Sequence, residues 1–181
     1  MSSIITVGVD PGASGAIAVV EFNYLTAKPV AWQHYATPQD SKEVIPLATG
    51  MERDLDGRVP EIVVVEHVWS VGKGRGSGLQ QGVSGAFSYG RSVERIAILC
   101  DYLSRLLRWP EHRLIAPKTW QRGLLDRTSG GNKKWLAEQA RAFYPEAKVT
   151  LKNADALLLA RYGLRLIEQE DGPQHGEEGD R

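Results

Sequence analysis

Three acidic residues stand where a carboxylate can do chemistry as well as solvate the surface. Asp10 closes the apolar run of residues 4–9 and opens the turn Asp10-Pro11-Gly12, whose small residues leave its carboxylate open to a bulky anionic ligand. Glu66 follows the β-branched run EIVVV, and the carboxyl ends of strands in open α/β sheets are where ligands gather. Asp155 lies in the segment NADALLLA, in the first turn of a helix with otherwise apolar surroundings. Each has an ordinary alternative. An Asp before Pro-Gly is a common turn residue, a strand-end Glu can be a solvated acid, and an Asp near a helix N-terminus is favoured by ~0.3–1 kcal/mol through the helix dipole. Together they say more. Carboxylates drawn from two neighbouring strands and a helix repel one another unless hard cations lie among them, and Mg²⁺ takes a few carboxylates with waters and phosphate oxygens. Two such ions about 4 Å apart would activate a water and stabilise the leaving oxygen in phosphodiester cleavage. The chemistry implied is metal-dependent hydrolysis of a nucleic-acid backbone, with Mg²⁺ as cofactor and Mn²⁺ as its substitute.

A set of cations points the same way. Lys73 and Arg75 lie in a glycine-rich stretch just after Glu66. Arg91 and Arg95 follow on a long helical pattern, and Lys118, Arg122, Arg127, Lys133 and Lys134 come later. These residues suit a phosphate backbone, and each equally suits a solvated cationic face. Trp69, three residues past Glu66, is read as a base-stacking wedge, with a core-edge aromatic as the alternative.

The elements that must position these residues are legible in outline. Residues 4–9 and 15–20 read as two strands joined by the Asp-Pro-Gly turn, residues 29–35 as a third, and 40–55 as a surface helix. Residues 61–65, apolar on both faces, suit a central strand covered by helices on both sides. Glycine-rich residues 70–82 read as a loop. Apolar residues then recur at helical steps through Val83, Phe87, Val93, Ile96, Leu99, Leu103 and Leu106, predicting a helix over 83–107. A short strand over 113–116, helices over 117–125, 133–143 and 153–167, and an acidic disordered tail complete the pass. Antiparallel strands followed by strands alternating with helices describe a mixed α/β sheet with helices on both faces, of which an RNase H-like five-stranded layout is one solution.

Size and composition bound the reading. The 181 residues, 42% apolar, suit one domain over 1–167 and a tail over 168–181. No apolar run approaches the ~20 residues that span a bilayer, no secretory pattern opens the chain, and Cys100 is the only cysteine, so a cytoplasmic protein away from membranes is expected. The formal net charge of zero, from 22 basic and 22 acidic residues, conceals a division. Residues 1–60 carry 4 basic and 7 acidic side chains, residues 61–167 carry 17 and 9, and residues 168–181 carry 1 and 6. The middle segment, at +8, is the cationic working surface.

With these residues placed, the chain resembles the RuvC family of Holliday junction resolvases, in particular its bacteriophage and chloroplast branch. The similarity runs from Ile4 to Ile167 through VGVDPGASGAIAVV, IVVVEHVW, GAFSYGRS, IAPKTWQRGLL, NKKWLAEQARAFYP and NADALLLARYG, in that order. The resemblance implies a homodimer that makes paired, Mg²⁺-dependent nicks in four-way DNA junctions. It assigns Asp10 and Glu66 as metal ligands and Asp155 as the helix-borne acid, and it places Trp69 near the junction centre. Two positions depart from the family pattern. Lys152 replaces the acid or His expected three residues before Asp155, which leaves three options: an amide oxygen from Asn153, a set of three carboxylates, or electrostatic help from Lys152. Gln121 replaces a Lys of the Pro-x-x-Trp-Lys-Lys pattern. Other branched or RNA-containing substrates, and a junction-binding protein without catalysis, are the alternative readings.

Overall fold

The computed structural model describes residues 3–12, 14–67, 83–125 and 132–171. Five strands, β1 (Ser3–Val9), β2 (Ala16–Asn23), β3 (Pro29–Ala36), β4 (Ile62–Glu66) and β5 (His112–Ile115), form one sheet in the order β3-β2-β1-β4-β5. The β1–β2 and β2–β3 pairs are antiparallel, and the β1–β4 and β4–β5 pairs parallel. The mixed sheet matches the sequence expectation. Parallel pairing requires crossovers, and these are supplied by α1 (Val44–Leu55) before β4 and by α2 (Val83–Leu107) before β5. Helices α3 (Pro117–Leu125), α4 (Lys133–Phe143) and α5 (Ala154–Asp171) follow.

Side-chain alternation sorts β1 and β4 into two faces. Ile5, Val7, Val9, Val63 and Val65 pack with Val44, Ala48 and Met51 of α1 and with Ile96, Leu99 and Leu103 of α2. Ile4, Ala18, Val20 and Phe22 pack beneath Ala156, Leu157, Ala160 and Leu164 of α5. Ile62 and Val64 meet Trp120 of α3, Leu136 and Ala140 of α4, and Leu158 and Leu159 of α5. The sheet is therefore covered on both sides, which is why β4 can be apolar at every position but its last.

Helix α5 lies close enough to β1 to leave no space for a side chain at Gly8. A Cβ there would sit 2.1 Å from the Ala156 carbonyl oxygen and 2.3 Å from the Ala160 nitrogen. Beside it the Thr6 hydroxyl, buried, donates to the Ala160 carbonyl at 2.7 Å.

Several boundaries differ from the sequence expectation. The segment 40–55 divides into a 3₁₀ turn, Ser41–Glu43, capped by the Asp40 side chain, and the helix proper. Pro46 falls in the first turn of α1, where no intrahelical N–H is lost. Strand β4 includes Glu66, and β5 begins one residue earlier than expected. In α2 the apolar stripe continues past the core, since Phe87 and Leu106 are exposed while Ile96, Leu99 and Leu103 are buried. Helix α5 does not stop at Ile167. It continues to Asp171, and Glu170 forms a two-pronged pair with Arg113 of β5, so the start of the expected acidic tail is helical. The remaining tail residues, 172–181, and the glycine-rich stretch through residue 82 lie outside the described residues.

Candidate active site at the strand ends

Parity and register carry the carboxylates to one place. Asp10 follows Ile4, Thr6 and Gly8 in alternation on the α5 face of β1, and Glu66 follows Ile62 and Val64 on the same face of β4. The parallel ladder pairs Val9 with Val65, so continuing it by one residue sets Asp10 beside Glu66. Asp155 occupies the first turn of α5, fixed over β1 by the close approach at Gly8. The three residues predicted from sequence thus meet at one end and on one face of the sheet. A register slip of one residue would send a strand's carboxylate to the opposite face.

Each carboxylate has a distinct environment. Asp10 is buried and its Oδ1 accepts the Gly12 N–H at 2.9 Å, while its own N–H donates to the Ala16 carbonyl at 2.9 Å, closing the hairpin. Gly15 is required here, because a Cβ would fall 2.1 Å from the Asp10 carbonyl oxygen. Glu66 Oε1 accepts the indole N–H of Trp120 at 2.9 Å. Asp155 is buried, and its Oδ1 has no hydrogen-bond partner.

Burial pushes the Glu66 carboxyl up to about 7, with the charges of Asp10 and Asp155 adding to the rise and the Trp120 hydrogen bond and Lys133 opposing it. Burial likewise raises Asp155 to about 6, with Asp10 adding and Lys133 opposing. The charge of Asp10 therefore bears on both of the others, and Lys133, at the start of α4, is the cation that tempers Glu66 and Asp155. Asn132 caps that helix by accepting the Trp135 N–H at 2.9 Å, which fixes where Lys133 emerges.

This electrostatic strain predicts a pH dependence. A carboxyl whose folded pKa is raised binds its proton more tightly in the native state, so the native state holds more protons between the unfolded value near 4.5 and the folded value near 7. Stability of the metal-free protein should then fall as pH rises from 5 to 8. Glu66→Gln should flatten that decline, and thermal midpoints across the range for both proteins check it. An equal decline in the variant would exclude Glu66 as its source.

The remaining predicted residues divide. Arg91, Lys118, Arg122, Lys133 and Lys134 are all exposed, whereas Trp69, Lys73, Arg75 and Arg127 lie outside the described residues. Asn153 is hydrogen-bonded within the loop before α5. Its Oδ1 accepts from both the N–H and the hydroxyl of Thr150, at 2.7 and 3.0 Å, and its Nδ2 donates to the Lys148 carbonyl at 3.1 Å. A carbonyl oxygen with two donors has no lone pair left for a cation, and Asn153 instead ties down the loop leading into α5. Lys152 is exposed, and the cation bearing on Glu66 and Asp155 is Lys133. Sequence reasoning missed Trp120. The sequence signal was its place three residues past Pro117 in an amphipathic helix, yet nothing in the sequence says that its indole turns inward to Glu66.

The donor set fits a hard divalent cation in two respects. It offers only carboxylate oxygens, and Asp155 Oδ1 is buried without a partner. In a third respect it is not closed. Among the described residues, no three His, Cys, Asp or Glu side chains are drawn together tightly enough to hold one metal ion as they stand.

A five-stranded 3-2-1-4-5 sheet with acidic residues at the ends of its two central strands and on the last helix defines an RNase H-like α/β protein. Within that class the fold is that of RuvC. Thermus thermophilus RuvC in complex with Holliday junction substrate superposes with a TM-score of 0.60 at 18% identity, covering 92% of this chain and 96% of that one. A second T. thermophilus RuvC structure matches with the same score and identity and is covered over 97% of its length. No family model and no curated protein sequence matches the chain.

Proposed function

We propose that this chain is a metal-dependent endonuclease that resolves four-way DNA junctions by paired nicking. The observation that carries the reading is the convergence of Asp10, Glu66 and Asp155, from two strands and a helix, on one end of a RuvC-like sheet. Its support in charge is the +8 segment that contains the exposed Arg91, Lys118, Arg122, Lys133 and Lys134. Junction DNA on one of the T. thermophilus RuvC structures supports the same substrate class. Two active sites acting together require a homodimer.

Asp10, Glu66 and Asp155 would hold Mg²⁺ or Mn²⁺. When bound, such an ion supplies Lewis-acid stabilisation to phosphoryl oxygens and an activated water at neutral pH. The chain's own residues do the rest. The Gly12 N–H fixes one oxygen of Asp10 and the Trp120 indole fixes one oxygen of Glu66, so both carboxylates are oriented before a ligand arrives. Lys133 offsets the excess negative charge while remaining exposed to a phosphate.

The test is cleavage of a synthetic four-way junction in Mg²⁺ and in Mn²⁺, with flap and RNA–DNA hybrid substrates run beside it. Symmetric nicks in the junction arms support the reading, and preference for a flap or hybrid reassigns the substrate. The open arrangement of the carboxylates, together with Asn153 engaged elsewhere, favours a junction-binding protein without catalysis as the second reading. Tight junction binding with no cleavage in either metal would select it.

Trp120→Phe removes the indole donor while keeping an aromatic ring in the core. Groups that orient a metal ligand typically contribute 10–100-fold to affinity or activity. Junction cleavage should accordingly fall by about 10- to 100-fold with junction affinity retained, as read by single-turnover kinetics and anisotropy. Unchanged cleavage would show that Glu66 does not depend on this bond.

A further inference from the structure

At the same end of the sheet as the carboxylates, on the layer formed by α2, lies a polar cavity of about 260 Å³ lined by Gln39, Phe87, Ser88, Arg91, Ser92 and Arg95. Hydrogen bonds connect it to the active-site turn. The Thr37 hydroxyl donates to the carbonyls of Gly12 and Gly15, at 3.2 and 3.4 Å, Gln39 Nε2 donates to the Thr37 carbonyl at 2.9 Å, and Arg95 donates to the Pro38 carbonyl at 3.3 Å. Residues 87, 88, 91, 92 and 95 recur at one- and three-residue steps, which places them on one face of α2.

The lining has the composition of an anion site. Among the described residues that line it are two guanidinium groups, two hydroxyls and an amide, and no carboxylate. Among the described residues, neither Arg91 nor Arg95 forms an ion pair within 4.0 Å. The charge of Arg95 bears on Asp40, whose side chain is engaged in capping the 3₁₀ turn, and Glu43 Oε2 accepts the Gln39 N–H at 2.8 Å. The Arg91 guanidinium stacks 5.9 Å from the centre of the Phe87 ring, which is 67% exposed. An exposed aromatic beside two forked guanidiniums suits a phosphate attached to something flat and apolar, as in a nucleotide unit.

We propose that this cavity seats one backbone phosphate of the bound nucleic acid, distinct from the phosphate attacked, with Arg91 and Arg95 sharing it and Phe87 lying against the same nucleotide. The proposal rests on the nucleic-acid reading above and adds an anchoring site on the opposite layer of the sheet. It gives the strand a second fixed point, so that register at the carboxylates is set by two contacts.

The test uses the full chain, a labelled four-way junction and EDTA, with affinity measured by anisotropy between 50 and 200 mM salt. Each phosphate contact contributes about 0.9 to the slope of log K against log salt concentration. Arg91→Gln, Arg95→Gln and the double variant should each shallow the slope by about 1, because all three empty the same site. Arg91 is exposed and stacks on the equally exposed Phe87, so its variant is not expected to perturb folding. Arg165→Gln, exposed and ten residues along α5 from Asp155, should keep the wild-type slope. The cavity proposal is overturned if the double variant keeps that slope, if Arg165→Gln shallows it equally, or if the single effects add to about 2, which would mean two independent surface contacts. Wild-type protein that binds no DNA overturns the nuclease reading as well, so the two failures are distinguishable.

Discussion

Asp10→Asn is expected to abolish junction cleavage while leaving junction binding close to wild type. The substitution keeps size and shape, and an Asn Oδ1 can still accept the Gly12 N–H that Asp10 accepts at 2.9 Å, so the hairpin should be preserved. What is lost is one negative charge of the three that would hold a divalent ion. Lewis-acid stabilisation is worth several kcal/mol, and at 1.36 kcal/mol per tenfold a loss of about 4 kcal/mol is on the order of 10³-fold in rate. The same substitution relieves the repulsion that helps raise Glu66 to about 7 and Asp155 to about 6. The variant should therefore melt at a higher temperature than wild type at pH 8 without metal, a trade of stability for function. Cleavage and thermal midpoint are read on one preparation. Normal cleavage by Asp10→Asn would remove Asp10 from the mechanism.

Gly8→Ala should be the most damaging single-atom change in the described core. The added Cβ would meet the Ala156 carbonyl oxygen, the Ala160 nitrogen and, at 2.8 Å, the Leu159 Cβ. Two of these are backbone atoms of α5, so the clash is relieved only by lifting the helix from β1. That movement would break the Thr6–Ala160 hydrogen bond and displace Asp155. Overpacking costs typically 1–3 kcal/mol and occasionally more, and here about 3 kcal/mol or more is expected out of a total stability of roughly 5–15 kcal/mol. Gly50→Ala in α1 is the natural comparison, because a Cβ there meets nothing within 4 Å. It should stabilise the protein by about 0.5–1 kcal/mol. Urea unfolding of both variants measures the contrast, and a wild-type midpoint for Gly8→Ala would contradict the close approach.

The tertiary structure alone decided how several of these residues are used. Phe87 and Ile96 both belong to the periodic stripe of α2, yet Ile96 is buried against the sheet and α1 while Phe87 is exposed. Asn153 and Lys152, adjacent in sequence and both possible helpers at the site, take different structural positions. Asn153 is spent on the loop before α5 and Lys152 points into solvent. The cation that tempers the acids is Lys133, more than 60 residues from Glu66 in the chain.

Elements with a strong local pattern were legible. The helices over Val83–Leu107, Pro117–Leu125 and Lys133–Phe143 were marked by apolar periodicity, by Pro at a helix start and by a glycine-containing break. So were the positions of the three carboxylates, since Asp10 and Glu66 each close an apolar run and Asp155 opens one. Less visible were the continuation of α5 to Asp171 and the role of Trp120. Both depend on partners remote in sequence, with Glu170 held by Arg113 and Trp120 by Glu66.

By itself the sequence determined which residues form strands and helices and which acids stand at their ends, because alternation, helical period and turn chemistry are properties of neighbours along the chain. The tertiary structure decided which of those acids face one another. That depended on the β1–β4 register, on the missing side chain at Gly8 and on the inward turn of Trp120, contacts across 50 to 150 residues that no local pattern encodes.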